Sequence, residues 1–391
     1  MTKGDFGDLE TSLGWNYSPH GVMFAPRSRD IADPMNTLMY DWQHCVFVNG
    51  VFNNHAFLFL SAATSAGIKI SVFNAYIAAF TFPMGLKPYD VLTAQRWKAS
   101  KEAGHLKCDA SDGLSIAPVL ATMAENLLAS GCSANFRGHC EVFLLFAMVL
   151  GQILRAARQL WDRTKLKASV AAYIYAFGML YGDENIVPKF HYLFHMADHP
   201  RLFSCFVLER KHKDVKRFQN DLFNCNVEYG RNILRAVTDH QLGKLQLLEP
   251  HHWTGEAVLI KGHAASAAVF SRITVIFPHL DQAACTVSQS ARAHQFEIVR
   301  VRDVVLYRKS DGSIAIGDIA QLLDTGAAGP IALIKCWEEI SSHKRCWKLR
   351  TTDSVEAIYV SSINTAVVWS GEGASTRTVI KPLHAFAWAT V

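Results

Sequence analysis

Two short stretches carry residues whose types and spacing could do chemistry. In "DWQHCVFVNG", Asp41 and His44 lie three apart. A carboxylate held rigidly at a helix start can reach a divalent metal, and an imidazole in the same turn can orient it. In "ERKHKDVKRF", Glu209 is followed by Arg210, Lys211, Lys213, Lys216 and Arg217. On a functional reading Glu209 is a second metal-binding carboxylate, set among cations that would attract phosphates. Both have plainer uses. Asp is a favoured helix N-cap that satisfies the first amides. Glu209 stands four residues before Lys213, the favourable order for an exposed ion pair of ~0.3 kcal/mol.

A third stretch, "FHYLFHMADH", spaces His191, His195 and His199 by fours, so a helix would put them on one face. Zinc proteases use such spacing but place a Glu after the first histidine, where Tyr192 stands here. With Phe190, Leu193 and Phe194 around them, core histidines bonded through their ring nitrogens are the competing reading.

The elements that must position these groups can be read from hydrophobic period. "NTLMYDW" reads as a short strand that hands Asp41 to a buried helix through Phe47, Val51, Leu58 and Ala62. "SVFNAYIAAFTF" is a second helix, closed by Pro83 and Gly85, and residues 86–109 read as a polar, Lys-rich connection. Three apolar helical patterns follow: "SIAPVLATMAENLLASG", "CEVFLLFAMVLGQILRAARQLW" and "SVAAYIYAFGMLYG". Leu208, Val215, Phe218 and Leu222 make Glu209 part of an amphipathic helix, and "VEYGRNILRAV" is the last helix. From residue 292 the period changes to two, with turn signals such as "SDGS" and "GAAGP", giving a small all-β domain of barrel type. Trp337, Trp347 and Trp369 would line its core. The expected organisation is α+β: residues 1–245, a connecting segment 246–291, and an all-β domain 292–391.

The composition sets outer limits. The chain has 391 residues, half of them hydrophobic and 19% charged, which is globular rather than disordered. Nine scattered cysteines form no CxxC pair, which points to a reducing compartment. The N-terminal stretch lacks a signal-like apolar run, and Val142–Leu154 is too short to span a bilayer, so a soluble intracellular protein with no membrane role is expected. A net charge of +5 permits a polyanionic partner. Arg155 and Arg158 end one helix close in sequence to Arg163, Lys165 and Lys167, and with the basic helix after Glu209 they could form one phosphate-binding surface.

In this order, "DWQHCVFVNG", a long helical insertion, "PKFHYLFHMADH" and "ERKH…K" resemble the C-terminal part of a cut-and-paste transposase of the CACTA or Kyakuja-Dileera-Zisupton kind. The resemblance covers about residues 30–230. It implies a partial RNase H-like core, in which three acids hold two Mg2+ ions for DNA strand cleavage and transfer. Asp41 matches the middle acid, with His44 its companion, and Glu209 the last. The first acid has no match here, so the resemblance implies a truncated, inactive, nuclear protein that binds DNA non-specifically through charge. Two other readings stand beside it: a non-catalytic chromatin- or nucleic-acid-associated protein, and a metal-dependent hydrolase built on the three histidines.

Overall fold

A break at Val48–Gly50 decides how the first helices lie. Trp42–Phe47 form α1 and Val51–Ser65 form α2 in the computed structural model of the chain, which describes residues 40–83, 88, 90–157, 162–198, 202, 204, 229–246, 256–294, 297–326, 329–373 and 375–384. Asn49 takes the left-handed conformation (φ 45°), and a Cβ on Gly50 would sit 2.3 Å from the carbonyl oxygen of Cys45. Only glycine fits where the chain doubles so closely on itself. The apolar period that runs through this stretch conceals the break. Trp42, read as the end of a strand, is already helical, while residues 36–39 of that expected strand lie outside the described ones.

The chain divides into two units. The first draws on Met1–Ala75, Pro88–Phe206 and Leu383–Val391, the second on Tyr76–Lys87 and Val207–Pro382. The division follows contacts in space rather than the change of period at residue 292. Helix α3 (Ile70–Ala78) runs across it.

The first unit continues with α4 (Ala94–Ala103), α5 (Ala110–Ala129), α6 (Ala134–Ala157), α7 (Arg163–Tyr181) and α8 (Pro188–Met196). The stretch expected as a mere connection therefore contains α4, capped by the Thr93 side chain on the Arg96 amide and stopped at Gly104. It is mostly polar and buries only Trp97 and Ser100, so it has almost no hydrophobic period to betray it. Asp162 caps α7 by accepting from the Lys165 amide, and Pro188 occupies the start of α8, where its missing amide costs nothing. The core between these helices is aromatic. Phe59 stacks on Phe143 at 4.7 Å, and Phe177 meets Phe190 at 4.6 Å. At its centre His55, wholly buried, bonds through Nδ1 to the Tyr173 hydroxyl at 3.0 Å. Two stretches, Trp42–Ser65 and Ala134–Ala157, are long and apolar enough to cross a membrane, but both are mostly buried in the protein, as core helices are. Among the described residues of this unit no strand extends beyond an isolated bridge at Asp41.

The second unit holds α9 (Tyr229–Gln246), α10 (Ala267–Ile273) and the strands. These are β1 (Val258–Ile260), β2 (His263–Ala264), β3 (Thr286–Ser288), β4 (Ser290–His294), β5 (Glu297–Arg300) and β6 (Val304–Arg308), then β7 (Ile314–Asp324), β8 (Ile331–Ser342), β9 (Cys346–Tyr359), β10 (Ile363–Ala366), β11 (Trp369–Glu372) and β12 (Thr376–Ile380). Segment 246–291, read as a connection, already supplies β1, β2 and β3 and the start of β4, each too short to show a period.

All described pairings are antiparallel. β1-β4-β5 form a small sheet, and the larger one runs β10-β6-β7-β8-β9-β12-β11, with β3 pairing the far end of β7. The expected barrel is not formed. Closure would require the first and last strands to pair, but β10 and β11 do not pair among the described residues, and the outer edge of β11 is bridged by Thr81, whose amide donates to the Trp369 carbonyl at 2.6 Å. Instead β7 is covered on both faces. Leu322 joins a core with Val299, Val305 and Ile334, and its neighbour Leu323 joins another with Ile273, Val287 and Leu333. The tryptophans do not share one core: Trp337 is buried and meets Trp369 edge-on, whereas Trp347 is half-buried beneath the Lys381 ammonium.

Candidate functional site

Asp41 is first of all a helix cap. Its Oδ1 accepts the Gln43 amide at 2.9 Å and the His44 amide at 3.4 Å, and its Oδ2 meets His44 Nδ1 at 2.5 Å. The carboxylate is well shielded while the imidazole is about a third exposed (11% and 32%). The other end of α1 is closed from a distant part of the chain. Lys189, in the first turn of α8, donates to the carbonyls of His44, at 3.2 Å, and Val48. Burial pushes the Lys189 ammonium down, while Cys45 and Asp41 oppose that shift. Burial likewise pushes the Cys45 thiol up to about 12, which disfavours the thiolate.

Beside this lies a second polar cluster on α8. His191 and His195 bring their Nε2 atoms to 2.9 Å, and His195 Nδ1 lies 3.6 Å from the Asp198 carboxylate. Asp198 is bonded by Lys167 Nζ of α7 at 2.5 Å, and this bond, with lesser help from His195, holds its carboxyl below the usual range. Tyr40 stacks on Tyr192 at 4.6 Å and on the His195 ring at 5.8 Å. The histidine face of α8 is therefore exposed, whereas Phe190, Leu193 and Met196 fill the core.

Of the residues expected to act, the structure brings Asp41 and His44 together. Glu209, Arg210, Lys211, Lys213, Lys216, Arg217, Arg158 and His199 lie outside the described residues. Arg155 sits in the last turn of α6, partly buried, while Arg163 and Lys165 are exposed in the first turn of α7 and Lys167 is exposed just after it. Lys189, Tyr40 and Asp198 escaped the sequence reading. Lys189 follows the helix-starting Pro188, but nothing local in the sequence names the carbonyls that it reaches.

The described residues do not fit a pair of Mg2+ ions. Mg2+ demands an octahedral set of oxygens. Asp41 is the one expected acid among the described residues, it already caps a helix and holds an imidazole, and its surroundings include the Lys189 cation. No group of three or more His, Cys, Asp or Glu able to hold a metal occurs among the described residues. No family model, curated protein or solved structure matches the chain.

Proposed function

We propose that this chain is a DNA-binding protein derived from a cut-and-paste transposase, acting in the nucleus through the phosphate backbone and without strand cleavage. The observation that carries this reading is the meeting of α1 with α8. "DWQHCVFVNG" and "PKFHYLFHMADH", two of the three segments on which the resemblance rests, are remote in sequence, with 145 positions from His44 to Lys189, yet that lysine closes α1. Motifs belonging to one site should converge in space, and these do. On this reading α2 to α7 belong to the helical insertion of a partial RNase H-like core. With Asp41 engaged as a cap beside a lysine, the geometry favours the non-catalytic form, and no step is assigned to a metal.

Charge supplies the partner. Arg163 and Lys165 are exposed at the start of α7, and the sequence adds the basic run from Arg210 to Arg217 to a net charge of +5. Such clusters bind duplex DNA by releasing counterions, with little regard to sequence. Retention of the full chain on duplex DNA should fall steeply between about 50 and 200 mM salt. Lack of retention at low salt, or retention indifferent to salt, would remove this reading. Strand cleavage in Mg2+ would restore the catalytic one.

A further inference from the structure

We infer that His191 and His195 form a chelating site for a divalent transition-metal ion on the exposed face of α8. This site stands apart from the DNA-binding reading and does not depend on it. Four residues apart on a helix, the two rings direct the same nitrogen, Nε2, to a common point, 2.9 Å from each other. Two imidazole nitrogens bound to one ion at ~2.0–2.1 Å, at right angles, lie about 2.9 Å apart. The observed spacing is thus that of adjacent ligands in a tetragonal or octahedral shell. A tetrahedral ion would need about 3.3 Å, a small rotation of either ring away.

The same spacing also suits a hydrogen bond from one imidazole to the other, so the surroundings must decide. His195 Nδ1 faces the Asp198 carboxylate at 3.6 Å, and Lys167 Nζ anchors that carboxylate at 2.5 Å. At that distance the carboxylate does not hydrogen-bond the ring, but its charge favours the proton on Nδ1 and so the lone pair on Nε2; metal-binding histidines are commonly backed by such a group. Tyr40, stacked at 5.8 Å, restrains the ring plane. The pair faces solvent, where an exposed histidine–histidine hydrogen bond contributes little against competition from water. An ion, by contrast, gains two preoriented ligands and keeps its other positions for water or a small anionic ligand. Neutral imidazoles at exposed positions suit Cu2+, Ni2+ and Zn2+, with Cu2+ held more tightly than Ni2+.

Calorimetric titration of Ni2+ into the full chain, repeated with Cu2+, tests this. One equivalent of Ni2+ should bind, Cu2+ should bind more tightly, and Tm should rise with metal, because the folded state alone presents the pair. His191→Ala and His195→Ala should each abolish that equivalent and the rise in Tm, while His343→Ala, at an exposed histidine of the other unit, should leave both unchanged. Asp198→Asn should weaken binding 10–100-fold without removing it. All these positions are solvent-facing, so circular dichroism should report an unaltered fold. No uptake by the unmodified chain, or uptake that survives in both single histidine variants, would overturn the assignment.

Discussion

Asp41 and Lys189 close the two ends of one six-residue helix. The Asp41 carboxylate takes the first amides of α1, and the Lys189 ammonium takes the carbonyls of His44 and Val48 at its far end. A helix this short cannot persist by itself. Lys189→Met keeps the aliphatic stem but strands those carbonyls, and should cost about 1–3 kcal/mol in urea denaturation. Asp41→Asn retains a capping oxygen and should change stability by no more than a few tenths, whereas Asp41→Ala should cost about 1 kcal/mol. If Asn proved as damaging as Ala, the charge of Asp41 rather than its cap would be what matters.

Gly50 is where α1 and α2 meet, and it tests why there are two helices and not one. An added methyl would lie 2.3 Å from the Cys45 carbonyl oxygen and 2.6 Å from the backbone of Val46, neither of which is a side chain that can swing away. Gly50→Ala should therefore destabilise by about 1–3 kcal/mol, the range for overpacking, even though alanine is the better helix former. A thermal melt showing equal or higher Tm would mean that the break relaxes into a continuous helix.

How much of this was legible in the sequence follows from where the signal resides. The buried helix through Val142–Leu154 and the long strands β7 and β8 declare themselves, because each repeats its period several times. Helix α4 and strands β1 to β4 repeat theirs scarcely at all, and they were missed. The α+β class could be read, but barrel closure could not, because it depends on which edges pair, and Thr81 takes one of them. At the candidate site the Asp41 cap was one of two readings that spacing allowed. The closing of α1 by Lys189 is an interaction across 145 positions, and no local pattern encodes it.

His55 makes stability depend on pH. Burial, with a lesser contribution from His139, pushes its imidazole down to about 3, and burial lowers His139 as well. The rings against His55 are those of Tyr173, Tyr181, Phe143, Phe146 and Phe177, uncharged at neutral pH, and the titratable group beyond them is His139, bonded to the Tyr181 hydroxyl at 3.0 Å. A folded-state value below the unfolded value of ~6.5 means that the unfolded chain takes up the proton first. Stability is thus full above pH ~6.5 and falls as the pH drops towards about 3, by up to ~1.4 kcal/mol per unit. His55→Phe should remove one proton from this dependence between pH 6.5 and 5, though it sacrifices the Tyr173 bond. Urea midpoints with the same pH slope in both proteins would show that His55 is not the group responsible.

The basic run after Glu209 gives the sharpest test of the nucleic-acid reading. Lys213, Lys216 and Arg217 fall within five residues of an amphipathic sequence whose apolar positions are Leu208, Val215, Phe218 and Leu222. If they bind phosphates, replacing all three by alanine should weaken binding to every duplex alike. The slope of log K against log salt should become shallower by about 0.9 for each phosphate that is no longer neutralised. Arg155→Ala alone should release at most one phosphate, because that side chain is partly buried in the last turn of α6. The slope is the quantity to follow: a misfolded variant loses affinity erratically, whereas a folded one that lacks only the charges shows a shifted and still linear dependence. Retention of the triple variant that matches the unmodified chain at every salt concentration would make these three cations a solvated face.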